Sequence, residues 1–126
     1  MNKICTTIEQ SKKLIELGID VNTADMYYLW YAETALRVGK GSKKLNTDCP
    51  AWSLSALLEF IPPYLGEFND GIDFGFSKSM NGKWYSAHYI KFNDNGLANF
   101  NKTVTGDTAI DAIFEMVCWL LENKKI

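Results

Sequence analysis

The spacing of apolar positions changes several times along the chain, and each change predicts an element. Ile8, Leu14, Ile15 and Leu17 form a short stripe. It is opened by Thr7 and Gln10 as a capping box and closed by Gly18-Ile19 as a left-handed stop. This predicts a helix over 7–17. The turn-forming stretch Asp20–Asp25 leads into Met26-Tyr27-Tyr28-Leu29-Trp30-Tyr31, a nearly continuous aromatic run that suits a strand covered on both faces. A helix continuing through Ala32–Arg37 is the competing assignment. Gly39–Asp48 is the most polar connection and reads as a mobile loop. Pro50 then occupies a first helical position, and Trp52, Leu54, Leu57, Leu58 and Ile61 recur at helical spacing until Pro62-Pro63 stops them, which predicts a helix over 50–61.

Downstream the period becomes two. Ile72, Phe74 and Phe76 alternate with Asp73, Gly75 and Ser77, and a second alternating run over 83–92 follows Asn81-Gly82. A type I′ turn at Asn81-Gly82 would pair Phe76 with Ala87 and Phe74 with Tyr89 on the core face. It would pair Gly75 with His88 and Asp73 with Ile90 on the other. Asn95-Gly96 hints at a third strand through Leu97, Phe100 and Val104. Asp107 or Thr108 then caps a final helix in which Ile110, Ile113, Phe114, Val117, Leu120 and Leu121 repeat at helical spacing. Its polar positions, Asp111, Glu115 and Glu122, fall on one narrow stripe with Cys118, expected to face solvent. The order of elements reads as an α+β fold, a small antiparallel sheet made of the Asn81-Gly82 hairpin and one or two further strands, packed by about three helices.

Composition narrows the function more than it narrows the fold. The 126 residues fit a single domain, and 47% hydrophobic against 22% charged residues excludes disorder. A net charge of -2 argues against nucleic-acid binding through the phosphates. Cys5, Cys49 and Cys118 are widely spaced and include no C-x-x-C pair, so reduced thiols are expected, with neither a disulfide framework nor a zinc site. The N-terminal stretch lacks a signal-type apolar region, and the chain reads as cytoplasmic, with no membrane partner.

No spacing in the chain specifies a reaction. H-E-x-x-H, G-x-S-x-G, P-loop, EF-hand and H-x-E patterns are absent, so no catalytic residue, metal or cofactor is assigned. Gly39-Lys40-Gly41-Ser42-Lys43-Lys44 begins like a dinucleotide fingerprint, but polar loop and Pro50 follow where a phosphate-facing helix should start; it reads as solvated loop. His88 is the only histidine, and the hairpin register places Asp73, Ser77, Ser86 and Trp84 near it. A histidine on a strand is usually a hydrogen-bonded boundary residue, yet this grouping could orient an imidazole. Cys118 sits among carboxylates that disfavour a thiolate and reads as structural.

Aromatic residues make up 13% of the chain, more than a core of this size holds, so some are expected at the surface as a protein-binding patch. Tyr27, Trp30, Trp84, His88 and Asp73 are the candidate binding residues. The segments Thr23–Tyr28, Pro50–Glu59 and Ala109–Glu122 resemble small proteins of prophages and other mobile elements of gut bacteria, a group with no assigned activity. The resemblance implies a shared fold and genetic context and carries over no catalytic residue. The expected function is that of a non-enzymatic accessory protein acting on a protein partner or on a second copy of itself. The alternative is a small ligand-binding protein or enzyme using the His88 face.

Overall fold

The computed structural model describes residues 4–28, 35–37, 49–66, 71–92 and 94–126. Its elements are α1 (Ile8–Glu16), a 3-10 turn (Val21–Thr23), β1 (Met26–Tyr28), β2 (Ala35–Arg37), β3 (Cys49–Ala51), α2 (Leu54–Leu58), β4 (Tyr64–Leu65), β5 (Ile72–Lys78), β6 (Tyr85–Phe92), β7 (Ala98–Gly106) and α3 (Ala109–Glu122). They form two antiparallel sheets, ordered β2-β1-β3 and β4-β5-β6-β7, with three helices, and the fold is α+β. The expected loop over 39–48, with its glycine-lysine segment, and Trp30 lie outside the described residues.

The first helix forms where its caps place it. The Thr7 hydroxyl accepts from the Gln10 N–H at 3.1 Å, the Gln10 side chain accepts from the Thr7 N–H at 3.0 Å, and Gly18 stops the helix at φ +102°. Of its apolar stripe Leu14 is fully buried, whereas Ile15 stays exposed.

The expected helix over 50–61 is corrected to the single turn and a half of α2. Pro50 lies instead in β3, opposite Tyr27 of β1. β3 is an edge of its sheet, where the missing N–H of proline costs no ladder bond. The true helix start is Ser53, whose hydroxyl accepts from the Ala56 N–H at 3.3 Å. Asp25 holds that cap in place: one carboxylate oxygen accepts the Ser53 N–H at 2.9 Å, and the other accepts the Ser53 hydroxyl. Trp52 is wholly buried between the two sheets' connections, with its indole N–H donating to Thr23 Oγ1 at 3.0 Å and its backbone N–H to Thr6 Oγ1 at 3.1 Å. Burying so large a ring requires its polar atoms to be paired, and they are.

In the larger sheet the β5–β6 register is the one the Asn-Gly offset predicts, with Phe74 opposite Tyr89, Gly75 opposite His88 and Phe76 opposite Ala87. The turn itself differs. A type I′ turn needs positive φ at both Asn81 and Gly82, and only Gly82, at +71°, has it. The connection is longer: the Ser79 carbonyl accepts the Gly82 N–H at 2.9 Å, and the Ser79 N–H reaches the Trp84 carbonyl at 2.8 Å. The register survives because Ser79 and Trp84 still stand opposite each other. The third strand is β7, paired with β6 over its whole length, with a bulge that leaves Asn101 unopposed between Tyr89–Lys102 and Ile90–Phe100.

One face of this sheet carries the core. Ala87 and Tyr89 are completely buried there, with Ile110, Ile113, Met116, Val117 and Leu120 from α3 and Leu14, Trp52 and Leu57 from the remaining elements. Tyr89 is tolerated because its hydroxyl donates to the Pro62 carbonyl at 2.7 Å. The expectation that Cys118 shares a solvent-facing stripe is corrected: Cys118 is buried at 4% exposure, while Glu115 and Glu122 are exposed. α1 reaches that side of α3, with Gln10 Nε2 donating to Asp111 Oδ1 at 2.9 Å and the Lys13 ammonium near the Cys118 thiol. Burial first, and then the Glu115 carboxylate, push the Cys118 thiol up to about 12, in line with a structural thiol.

Candidate functional site

Among the described residues, the face of the larger sheet opposite α3 carries exposed side chains at its Phe92 end while Ser86 is buried, and the pleat of β6 decides what stands on it. Ala87 and Tyr89 point into the core, so Ser86, His88, Ile90 and Phe92 point the other way, and the register adds Gly75 and Asp73 from β5 and Thr103 from β7. The bulge at Asn101 matters here. By adding one residue to β7 it brings Phe100 opposite Ile90, onto the same outer face. Phe100 is 55% exposed and Phe92 64%, with Leu97 at 63% in the connection between their strands. Phe92 and Phe100 thus stand exposed toward one end of a sheet face where Asp73 and Thr103 are also solvent-exposed, with Leu97 exposed in the adjoining connection. Scattered single exposures are ordinary; a contiguous group of them is not.

His88 occupies the middle of this face, and its environment is specific. Its ring stands edge-on to Phe100, with centroids 5.4 Å apart and planes at 85°. On the other side it lies across Gly75. A Cβ built there would come within 2.8 Å of His88 Cδ2 and nearer still to Nε2. Gly75 is therefore the space into which the imidazole fits. Burial of the ring lowers the His88 pKa below its usual 6.5.

The grouping expected around His88 is only partly realised. Asp73 lies diagonally across the strand pair, opposite Ile90, and no hydrogen bond joins it to His88 among the described residues. Ser77 and Ser86 face each other two pairs further on. Trp84 is 44% exposed but stands at the end of the sheet, in a cleft of about 320 Å³ lined also by Gln10, Thr105, Asp107, Asp111 and Glu115. Tyr27 is buried at 4% exposure in β1 and cannot belong to an exposed patch. On this face the exposed aromatic side chains are instead Phe92 and Phe100, which the spacing did not single out as binding residues. The signal was present in the alternation: with Ala87 and Tyr89 inward, Phe92 has to face outward.

The arrangement is poor in chemistry and rich in contact area. Among the described residues no group of His, Cys, Asp and Glu is placed to hold a metal ion, and no helix is long and apolar enough to cross a membrane. Substituting Gly75→Ala should displace the His88 ring and lower the urea midpoint, whereas in a His88→Ala background the same substitution should cost far less. His88 also predicts a pH effect with a definite sign. Because its folded pKa is depressed, the unfolded chain binds the proton first, so the His88 contribution to stability is complete above pH 6.5 and falls as pH drops towards the folded value. Urea titrations at neutral and mildly acidic pH check this: the loss on acidification should shrink in His88→Ala.

Comparison with protein-family models, with curated proteins and with solved structures finds no match to the chain, so its assignment rests on this geometry.

Proposed function

We propose that this is a non-enzymatic accessory protein of a prophage or mobile element, and that it works by binding a protein partner or a second copy of itself through the outer face of the β4-β5-β6-β7 sheet. The observation that carries this reading is the exposure of Phe92 and Phe100 at one end of that face, with Leu97 exposed in the connection beside them. Apolar and aromatic surface held on a rigid sheet supplies contact area at little entropic cost, because the strand backbone is already ordered before a partner arrives. The absence of reaction motifs in the sequence and the lack of a hydrogen-bonded partner for His88 among the described residues favour binding over catalysis. The sequence resemblance to prophage proteins supplies the genetic context.

The test is the solution mass across a dilution series, with and without a bacterial cell extract, for the wild-type chain and for a Phe92→Ser/Phe100→Ser variant. Wild type should gain mass with concentration or retain a partner, and the variant should do neither while staying folded, its urea midpoint lowered only by the lost Phe100–His88 contact. A wild-type chain that stays monomeric and retains nothing overturns the reading.

A further inference from the structure

We propose that β7 is a self-association edge: two copies of the chain pair antiparallel along residues 102–106 and join their larger sheets into one. The proposal rests on the reading of this sheet as the element that meets a partner, and it names that partner as a second copy. β7 is nine residues long and stands last in the order β4-β5-β6-β7, so one side of it pairs with β6 and no described strand pairs with the other. A strand edge of that length presents a row of N–H and C=O groups, and the structure that satisfies such a row is another extended backbone. Asn99, Asn101, Thr103 and Thr105 are all solvent-exposed along it.

The side chains say which backbone fits. The bulge interrupts β7 at Asn101, and beyond it residues 102–106 pair with β6 in unbroken register, with Thr103 opposite His88 and Thr105 opposite Ser86. A two-fold axis through Val104 would set Val104 against its own copy, Thr103 against the partner's Thr105 and Lys102 against the partner's Gly106. Valine and threonine are strong strand formers, and opposed threonines exchange hydroxyl hydrogen bonds. A lysine on an edge ordinarily blocks such pairing. Here the Lys102 ammonium is laid over the Trp119 ring, 5.7 Å from its centroid on the α3 side, and would face a residue without a side chain. The neighbouring axes are worse. One through Lys102 opposes like charges, and one through Thr103 puts the lysine against Val104.

So short a run makes a small contact, and the association is expected to be concentration-dependent, reached by about a millimolar chain. The experiment is the solution mass of the full chain up to that concentration, with amide hydrogen exchange recorded at the dilute and concentrated ends. Wild type should approach twice the monomer mass, and amides within residues 102–106 should gain protection while those of α1 do not. Thr103→Lys/Thr105→Lys sets like charges opposite each other across the axis and should weaken the dimer by about tenfold. Thr103→Lys/Thr105→Glu changes the same positions but sets opposite charges against each other, and should restore it. A chain that stays monomeric, β7 amides that gain no protection, or a mixed-charge variant that dimerises no better than the like-charge one overturns the proposal. The reading of the outer face fails separately. A monomer that retains a partner from a bacterial cell extract, or a dimer lost in Phe92→Ser/Phe100→Ser but indifferent to charge at 103 and 105, overturns the edge and leaves the face in place.

Discussion

Leu120→Ala should lower the stability of the fold by about 2–5 kcal/mol, the range for truncating a fully buried leucine. Leu120 has no solvent exposure and lies in the cluster that joins α3 to the sheet and to α1 and α2, so the lost methyl groups leave a cavity with walls from several elements. Such walls cannot all relax into one gap. A domain of this size is held together by roughly 5–15 kcal/mol, so the variant would forfeit a large share of its stability. Glu115→Ala, on the exposed side of the same helix, should change the midpoint by about 0.5 kcal/mol or less. Urea titration of both variants makes the comparison. Equal effects would mean that the outer side of α3 is covered as well.

Gly106→Ala should be comparably damaging for the opposite reason, too much matter instead of too little. Gly106 ends β7, and the chain turns at once into α3. A Cβ at that position would stand 2.5 Å from the Ala112 nitrogen, 2.7 Å from Asp111 Cβ and 2.8 Å from the Asp111 carbonyl carbon. These are backbone and near-backbone atoms that no rotamer change can move aside. The first turn of α3, where the Thr108 hydroxyl caps the Asp111 N–H at 3.1 Å, would have to shift away from the sheet, and Asp111 would pull on its bond from Gln10 of α1. Overpacking of this kind costs typically about 1–3 kcal/mol and here strains two element junctions together. Thermal unfolding of Gly106→Ala beside Gly96→Ala separates space from backbone strain. Gly96 is at φ +82° with nothing near its missing Cβ, so its cost is conformational alone.

What the sequence makes legible is local. The Thr7-Gln10 capping box, the Gly18 stop and a cap at Asp107 or Thr108, of which the structure uses Thr108, depend on residues a few positions apart, and the pairing of Phe74 with Tyr89 follows from the Asn-Gly position between them. Apart from the turn type at Asn81-Gly82, the failures are demands made from far along the chain. Pro50 satisfies a helix start and an edge strand equally well, and the choice is made by Tyr27, its partner in β1. Cys118 lies in a polar stripe when α3 is read alone, and is buried where α1 reaches that side of the helix. The candidate site shows the same division. His88 and its opposition to Gly75 follow from the hairpin offset. The approach of Phe100 depends on a bulge at Asn101, which alternation within β7 does not reveal.

The account stands or falls on the outer sheet face as the surface that meets a partner. The most direct measurement is a two-dimensional NMR spectrum of the labelled chain, recorded at rising concentration and then with a bacterial cell extract. The backbone signals of Ile90, Phe92 and Phe100 should shift or broaden in at least one series, while those of Ile113 and Val117 in the middle of α3 stay fixed. Signals of the sheet face that remain unmoved in both series, or changes confined to α1 and α3, would contradict it.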